Sequence, residues 1–126
     1  MPRFVILTHD HPFAHYDLML ERGDDLATWR IVELPCDDSS VRAEWTFPHR
    51  RLYLDYEGPI SGDRGTVARW EVGSFEWVCD EPELIVIEVK GERHWNGRVE
   101  LRRLNENEWT LRLIDVRRDG SAGRFE

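Results

Sequence analysis

Apolar and polar residues alternate with a period of two along most of this chain, the pattern of strands that bury one face. The alternation predicts strands near residues 3–8, 14–21, 27–33, 41–47, 50–55, 66–71, 74–78, 84–90, 98–104 and 108–114, and no stretch keeps a helical period over three turns. Turn-forming residues fall between them: Gly23-Asp24-Asp25, Leu34-Pro35, Gly58-Pro59, Ser61-Gly62-Asp63, Val72-Gly73, Asn96-Gly97 and Asn105-Glu106-Asn107. Asn96-Gly97 is the sharpest of these signals, because a two-residue hairpin turn wants positive φ at both central positions. Short, evenly spaced strands describe an all-β protein. The expected architecture is a small closed β-barrel of about eight strands with a polar central cavity, since closure leaves no exposed edge.

Composition narrows the picture. With 126 residues and 15.0 kDa the chain has room for one domain, expected over residues 1–116, with 117–126 as a disordered tail that lacks apolar anchors. Six tryptophans supply bulky packing. Two cysteines, Cys36 and Cys79, are too few for a disulfide scaffold and read as reduced residues of a cytoplasmic protein. The N-terminal apolar run is only Phe4 to Leu7, followed at once by His9 and Asp10, which predicts neither a signal peptide nor a membrane span. A formal charge of −8 excludes a protein that coats nucleic acid by bulk electrostatics, so any contact with DNA must be local.

Chemistry concentrates between His9 and Glu21. In a strand, residues two apart share a face, so His15, Asp17, Met19 and Glu21 point one way while Tyr16, Leu18 and Leu20 point the other. Such a strand would aim an imidazole and a carboxylate into the barrel, and His9, ending the first strand, could reach the same point. Two neutral imidazoles and a carboxylate form an open site for a divalent metal; the alternative is a hydrogen-bonded surface pair. His11, beside Pro12, is expected in a loop, and His94 in a solvated turn.

A second segment, Pro48 to Gly58, places His49, Arg51, Tyr53 and Asp55 on one face if it is a strand, with Leu52 and Leu54 on the other. His49 and Tyr53 could then hydrogen-bond a phosphate or donate a proton to a leaving oxygen. The alternative makes Tyr53 a rim residue and His49 the start of a strand.

Together these segments resemble the 3′-phosphoesterase domain of bacterial DNA ligase D. That family carries a histidine, five intervening residues, then His-Tyr-Asp-x-Arg-Leu-Glu, matched by His9 and by His15-Tyr16-Asp17-Leu18-Met19-Leu20-Glu21. It also carries His-x-x-x-Tyr-x-Asp-Phe-Glu-Gly, matched by His49, Tyr53, Asp55, Tyr56, Glu57 and Gly58. The likeness extends through Trp29 and the Gly62–Trp70 segment and covers most of residues 4–114.

The resemblance implies a metal-dependent enzyme of non-homologous end joining that removes a 3′-phosphate or 3′-ribonucleoside from a DNA primer. His9, His15 and Asp17 would bind Mn²⁺, with Zn²⁺ or Co²⁺ as alternatives, and His49 and Tyr53 would contact the scissile phosphate. Two departures stand out. Met19 replaces the family's phosphate-clamping arginine, and Glu33 occupies the neighbourhood of an expected lysine. Arg51, from the His49 face, is the candidate to supply the missing charge, and Arg42, which roughly matches another family arginine, is a second candidate phosphate-binding residue. The expected partners are DNA 3′ ends or primer-templates, with a separate ligase or polymerase, the chain reading as a stand-alone relative. The competing functions are a non-catalytic metal- or DNA-end-binding module and a small-molecule phosphoesterase.

Overall fold

A computed structural model of the protein describes residues 1–36 and 38–115. Its strands are β1 (Arg3–His9), β2 (His15–Arg22), β3 (Asp25–Ile31), β4 (Ser40–Trp45), β5 (His49–Arg50), β6 (Gly58–Pro59), β7 (Thr66–Glu81), β8 (Leu84–Gly91), β9 (Asn96–Arg103) and β10 (Glu108–Asp115). Eight of them close an antiparallel barrel in the order β1-β2-β3-β4-β10-β9-β8-β7, and β7 pairs back onto β1. The short β5 and β6 and a 3₁₀ turn, Arg51–Leu54, belong to an excursion between β4 and β7. The tail predicted over 117–126 lies outside the described residues.

The closed barrel is the one the alternation predicts, but its interior is apolar. Phe4 and Ile6 of β1, Leu18 and Leu20 of β2, Trp29, Phe75, Ile87 and Leu101 fill it, all at 1% exposure or less. Trp29 sits edge-on to both Trp45 and Trp109, the offset geometry aromatic rings favour. The opposite faces of the same strands form a second layer. Val5, Leu7, Met19, Leu26, Val67 and Val72 pack outside the wall beneath Leu54, Tyr53, Tyr56 and Ile60 of the excursion. Double coverage explains the unbroken Phe4–Leu7 run, since a strand buried on both faces has no polar side to show. The polar cavity therefore lies on the outer face of the wall, under the excursion, and not in the centre.

Three local expectations are corrected. The strand predicted over 50–55 stops at Arg50, because Arg51–Leu54 winds into a 3₁₀ turn that drops Leu54 onto the outer layer. Residues 66–71 and 74–78 are parts of one strand, β7. Gly73 is its crossing point, paired with Phe4 of β1 and Gly91 of β8, where an added Cβ would lie 2.1 Å from the Lys90 carbonyl oxygen. A register shift leaves Trp70 unpaired between Arg69 and Glu71, so Val67 and Val72 both reach the outer layer despite their spacing.

The third correction is Asn96-Gly97, which is paired within β9. The turn lies just before it, where buried Glu71 accepts the backbone N–H groups of Arg93 at 2.9 Å, His94 and Trp95 at 2.7 Å. A long-range carboxylate thus overrides the local turn preference. His94 is exposed, as expected, and its ring stacks on Trp70 at 4.1 Å.

Candidate active site

The open end of the β1–β2 hairpin assembles the site. Register places His9 directly opposite His15, and Asp17 follows two residues along on the same outer face. His15 Nε2 lies 3.3 Å from Asp17 Oδ2, and His9 Nδ1 lies 3.6 Å from the same oxygen. One donor atom from each of the three residues falls within 4.8 Å of the others. His15 and Asp17 are buried, at 3% and 6% exposure.

The other ring nitrogens fix the tautomers. His15 Nδ1 is 2.8 Å from the Phe13 carbonyl oxygen and His9 Nε2 is 2.9 Å from that of Arg64. A carbonyl only accepts, so each ring donates its N–H outward. In the neutral rings that a metal requires, His9 Nδ1 and His15 Nε2 then turn their lone pairs toward a carboxylate. Three acceptors with no proton between them suit a cation, and carbonyl-oriented imidazoles are a common outer shell of metal ligands. These residues could hold Mn²⁺, Co²⁺ or Zn²⁺.

Gly65 builds part of this geometry. At φ +84° it lies so close to the β1–β2 loop that a Cβ would meet Asp10 Oδ1 at 2.3 Å and the His11 Cβ at 2.6 Å. Asp10 Oδ1 also accepts the Thr66 N–H at 2.7 Å. The clasp holds the Arg64 carbonyl against His9.

A cavity of about 350 Å³ opens beside the cluster. Leu7, Met19 and Val67 form an apolar floor; His9, Asp17, His49 and Tyr53 line it, with Arg30, Arg50 and Arg64 among its cations. His49 donates Nδ1–H to the Phe47 carbonyl at 2.8 Å, stacks on the Phe47 ring at 4.7 Å and meets Tyr53 edge-on at 6.0 Å. Burial holds the His49 imidazole below its ordinary value, outweighing the Phe47 carbonyl and Asp17, and the Arg30 charge presses in the same direction as burial. Empty, the site thus favours neutral His49, with Nε2 unprotonated; a bound phosphate would supply negative charge that favours its protonation.

The structure brings His9, His15, Asp17, His49 and Tyr53 together, and it places the two proposed arginines elsewhere. Arg51, in the 3₁₀ turn, donates to the Gly23 carbonyl at 3.2 Å and pairs with Glu21. Arg42 pairs with Glu108 and lines a separate cleft with Phe13, Val32 and Glu33. Asp55 pairs with Arg3 at 2.7 Å. Strand alternation put Arg51 and Asp55 on the His49 face, and the 3₁₀ winding cancels it. His11, expected in a loop, sits in one and lines the cavity.

The sequence reading missed Arg30. Its signal was the Gly23-Asp24 turn: once Arg22 pairs with Asp25, five further steps set Asp17 opposite Arg30.

No helix among the described residues is long and apolar enough to cross a membrane. The profile of the DNA Ligase D 3′-phosphoesterase domain matches residues 7–120. The chain is 31% identical over 132 aligned positions to the multifunctional non-homologous end joining protein LigD of Mycobacterium bovis, covering 98% of this chain and 17% of that protein. The same figures hold for the multifunctional non-homologous end joining DNA repair protein LigD of Mycobacterium tuberculosis. LigD of Pseudomonas aeruginosa is 31% identical over 86 positions, 64% of this chain and 10% of its own length. The chain thus spans about a sixth of the mycobacterial relatives it matches. On the profile match and the mycobacterial identities, it belongs to the DNA ligase D 3′-phosphoesterase domain family.

Proposed function

We propose that this domain is a divalent-metal-dependent 3′-phosphoesterase that trims DNA 3′ ends in end-joining repair, removing a 3′-phosphate or a 3′-ribonucleotide. The observation that carries the reading is the convergence of His9 Nδ1, His15 Nε2 and Asp17 Oδ2 beside a cavity that also holds His49 and Tyr53. Mn²⁺ is the proposed metal, with Zn²⁺ or Co²⁺ able to occupy the same donors. Bound there, the metal would polarise a phosphate oxygen and acidify a water. His49 and the Tyr53 hydroxyl would hold the phosphate, and His49, once protonated, would hydrogen-bond the developing charge or protonate the leaving oxygen.

The −8 charge suits an enzyme that grips a strand terminus and not a duplex. DNA ends are the proposed partners, with a ligase or polymerase acting on the product, in the cytoplasm.

One observation favours a second reading. Met19, 1% exposed, gives the cavity an apolar floor where the family motif carries an arginine, which fits a module that binds DNA ends without turnover. Side-by-side assays of a 3′-phosphorylated primer-template and p-nitrophenyl phosphate, both with Mn²⁺, separate the readings. The proposal expects release from the primer-template, lost in Asp17→Ala. Binding of the primer-template without release would favour the module, and hydrolysis of p-nitrophenyl phosphate alone a small-molecule enzyme.

A further inference from the structure

Most arginines near the cavity are already committed. Arg64 donates to the Ser61 carbonyl at 2.7 Å and to its hydroxyl at 3.1 Å. Arg51 pairs with Glu21, and Arg69 lies 4.0 Å from both Asp55 and Glu57. Arg30 differs. Among the described residues no carboxylate lies within 4.0 Å of its guanidinium, and its Nε, like those of Arg69 and Arg112, is buried with no hydrogen-bond partner. Of these three arginines only Arg30 lines the cavity, so its unpartnered donor and missing carboxylate together point to an anion there.

Its position is fixed from two sides. Register sets Arg30 opposite Asp17 and diagonal to Met19, whose partner is Thr28. The guanidinium carbon rests 5.5 Å from the centre of the Phe13 ring, a cation–π contact that orients the group. It lines the same cavity as Asp17, His49 and Tyr53, and it also borders the neighbouring cleft of Phe13 and Arg42, so it stands on the ridge between the two. Arg50 also lines that cavity, but it is exposed, on a two-residue strand opposite Asp25, where solvent weakens its pull on an anion.

We infer that Arg30 is the phosphate-binding residue of this site, offering from β3 the forked N–H pair that Met19 on β2 cannot. The inference rests on the phosphoesterase reading for its ligand, a phosphate monoester or diester oxygen pair. Arginine suits the task because its planar fork meets two phosphate oxygens at once, whereas a lysine offers a single point charge. The arginine has in effect crossed the sheet while facing the same cavity.

The test uses the Mn²⁺-loaded protein and inorganic phosphate, with Arg30→Met, Arg30→Lys, Arg50→Ala and the double variant Met19→Arg/Arg30→Met. Calorimetry measures phosphate affinity and Mn²⁺ affinity separately, and thermal unfolding checks the fold. Arg30→Met should weaken phosphate binding roughly tenfold or more, the scale of a charge-assisted bidentate contact. Arg30→Lys should recover part of it, the double variant most of it, and Arg50→Ala should change it by less than about twofold, as expected of a screened rim charge. Mn²⁺ affinity should stay close to that of the parent. Unchanged phosphate affinity in a folded Arg30→Met protein overturns the inference, as does a parent that binds no phosphate. If Arg30→Met loses phosphate binding but the parent releases nothing from a 3′-phosphorylated primer-template, the inference stands and the phosphoesterase reading falls.

Discussion

His9 and His15 face each other across the first hairpin with ring centres 4.9 Å apart, and each gives its proton to a backbone carbonyl on the far side. With both rings neutral, Asp17 Oδ2 therefore meets two ring lone pairs, at 3.3 Å from His15 Nε2 and 3.6 Å from His9 Nδ1. The cluster suits a dication, because a metal interacts with all three donors at once.

That arrangement predicts a metal-dependent stability. Mn²⁺ at about 100 times its dissociation constant should stabilise the fold by about 2.7 kcal/mol, read as a rise in Tm that EDTA reverses. Asp17→Ala should abolish the rise without lowering the Tm of the metal-free protein by more than about 1 kcal/mol equivalent, since the carboxylate it removes has only the 3.3 Å contact with His15 Nε2 to lose. An unchanged Mn²⁺-induced rise in Asp17→Ala would remove Asp17 from the ligand set.

Gly65 sets the position of the Arg64 carbonyl that orients His9. A methyl group there meets Asp10 and His11 at 2.3 and 2.6 Å and forces a side chain into positive φ. Gly65→Ala should cost about 1–3 kcal/mol and weaken Mn²⁺ affinity, while Gly23→Ala, with open space around it, should leave the metal untouched. Calorimetric titration of both variants checks this.

Glu71 is fully buried at the far side of the wall, and its carboxylate collects the N–H groups of Val72, Arg93, His94 and Trp95. Glu71→Ala strands those donors and should destabilise the fold by about 3 kcal/mol or more. Glu71→Gln, which keeps one acceptor oxygen, should cost less. Denaturant unfolding of the pair measures the difference.

Legibility followed the physics of the wall. Alternation in His15–Glu21 grouped His15, Asp17 and Met19 on one face, because a strand leaves side chains no other choice. It did not say which face is interior, since both sides of β1 and β2 are buried and the apolar run in Phe4–Leu7 carries no polar side to orient it. Arg51 and Asp55 were misplaced because a 3₁₀ turn and a strand can share the same apolar spacing over four residues. Arg30 was hidden for a different reason: its meaning comes from pairing with Asp17 across a hairpin, and the Gly23-Asp24-Asp25 turn signal by itself leaves the register open by a residue or two.

Acid should loosen the excursion that roofs the cavity. Asp55 is held below its ordinary value chiefly by the hydrogen bond from Arg3. Burial alone would raise Glu21, but the Arg3 backbone N–H and the Arg51 guanidinium outweigh it and hold it low. Lowered carboxylates stabilise the fold above their unfolded values, near 3.8 and 4.5, and that stability is lost as pH falls through the lower folded values. The Arg3–Asp55 pair is solvent-exposed, so Arg3→Ala should cost only about 0.5 kcal/mol at pH 7. The difference from the parent should vanish toward pH 2, as unfolding curves across that range would record.

Turnover of a primer-template bearing a 3′-phosphate, with Mn²⁺ and with EDTA, in the parent and in His15→Ala, tests the account most directly. The account predicts Mn²⁺-dependent release of phosphate by the parent, abolished by EDTA and by His15→Ala. Release that persists in EDTA, or at full rate in a folded His15→Ala protein, would contradict it.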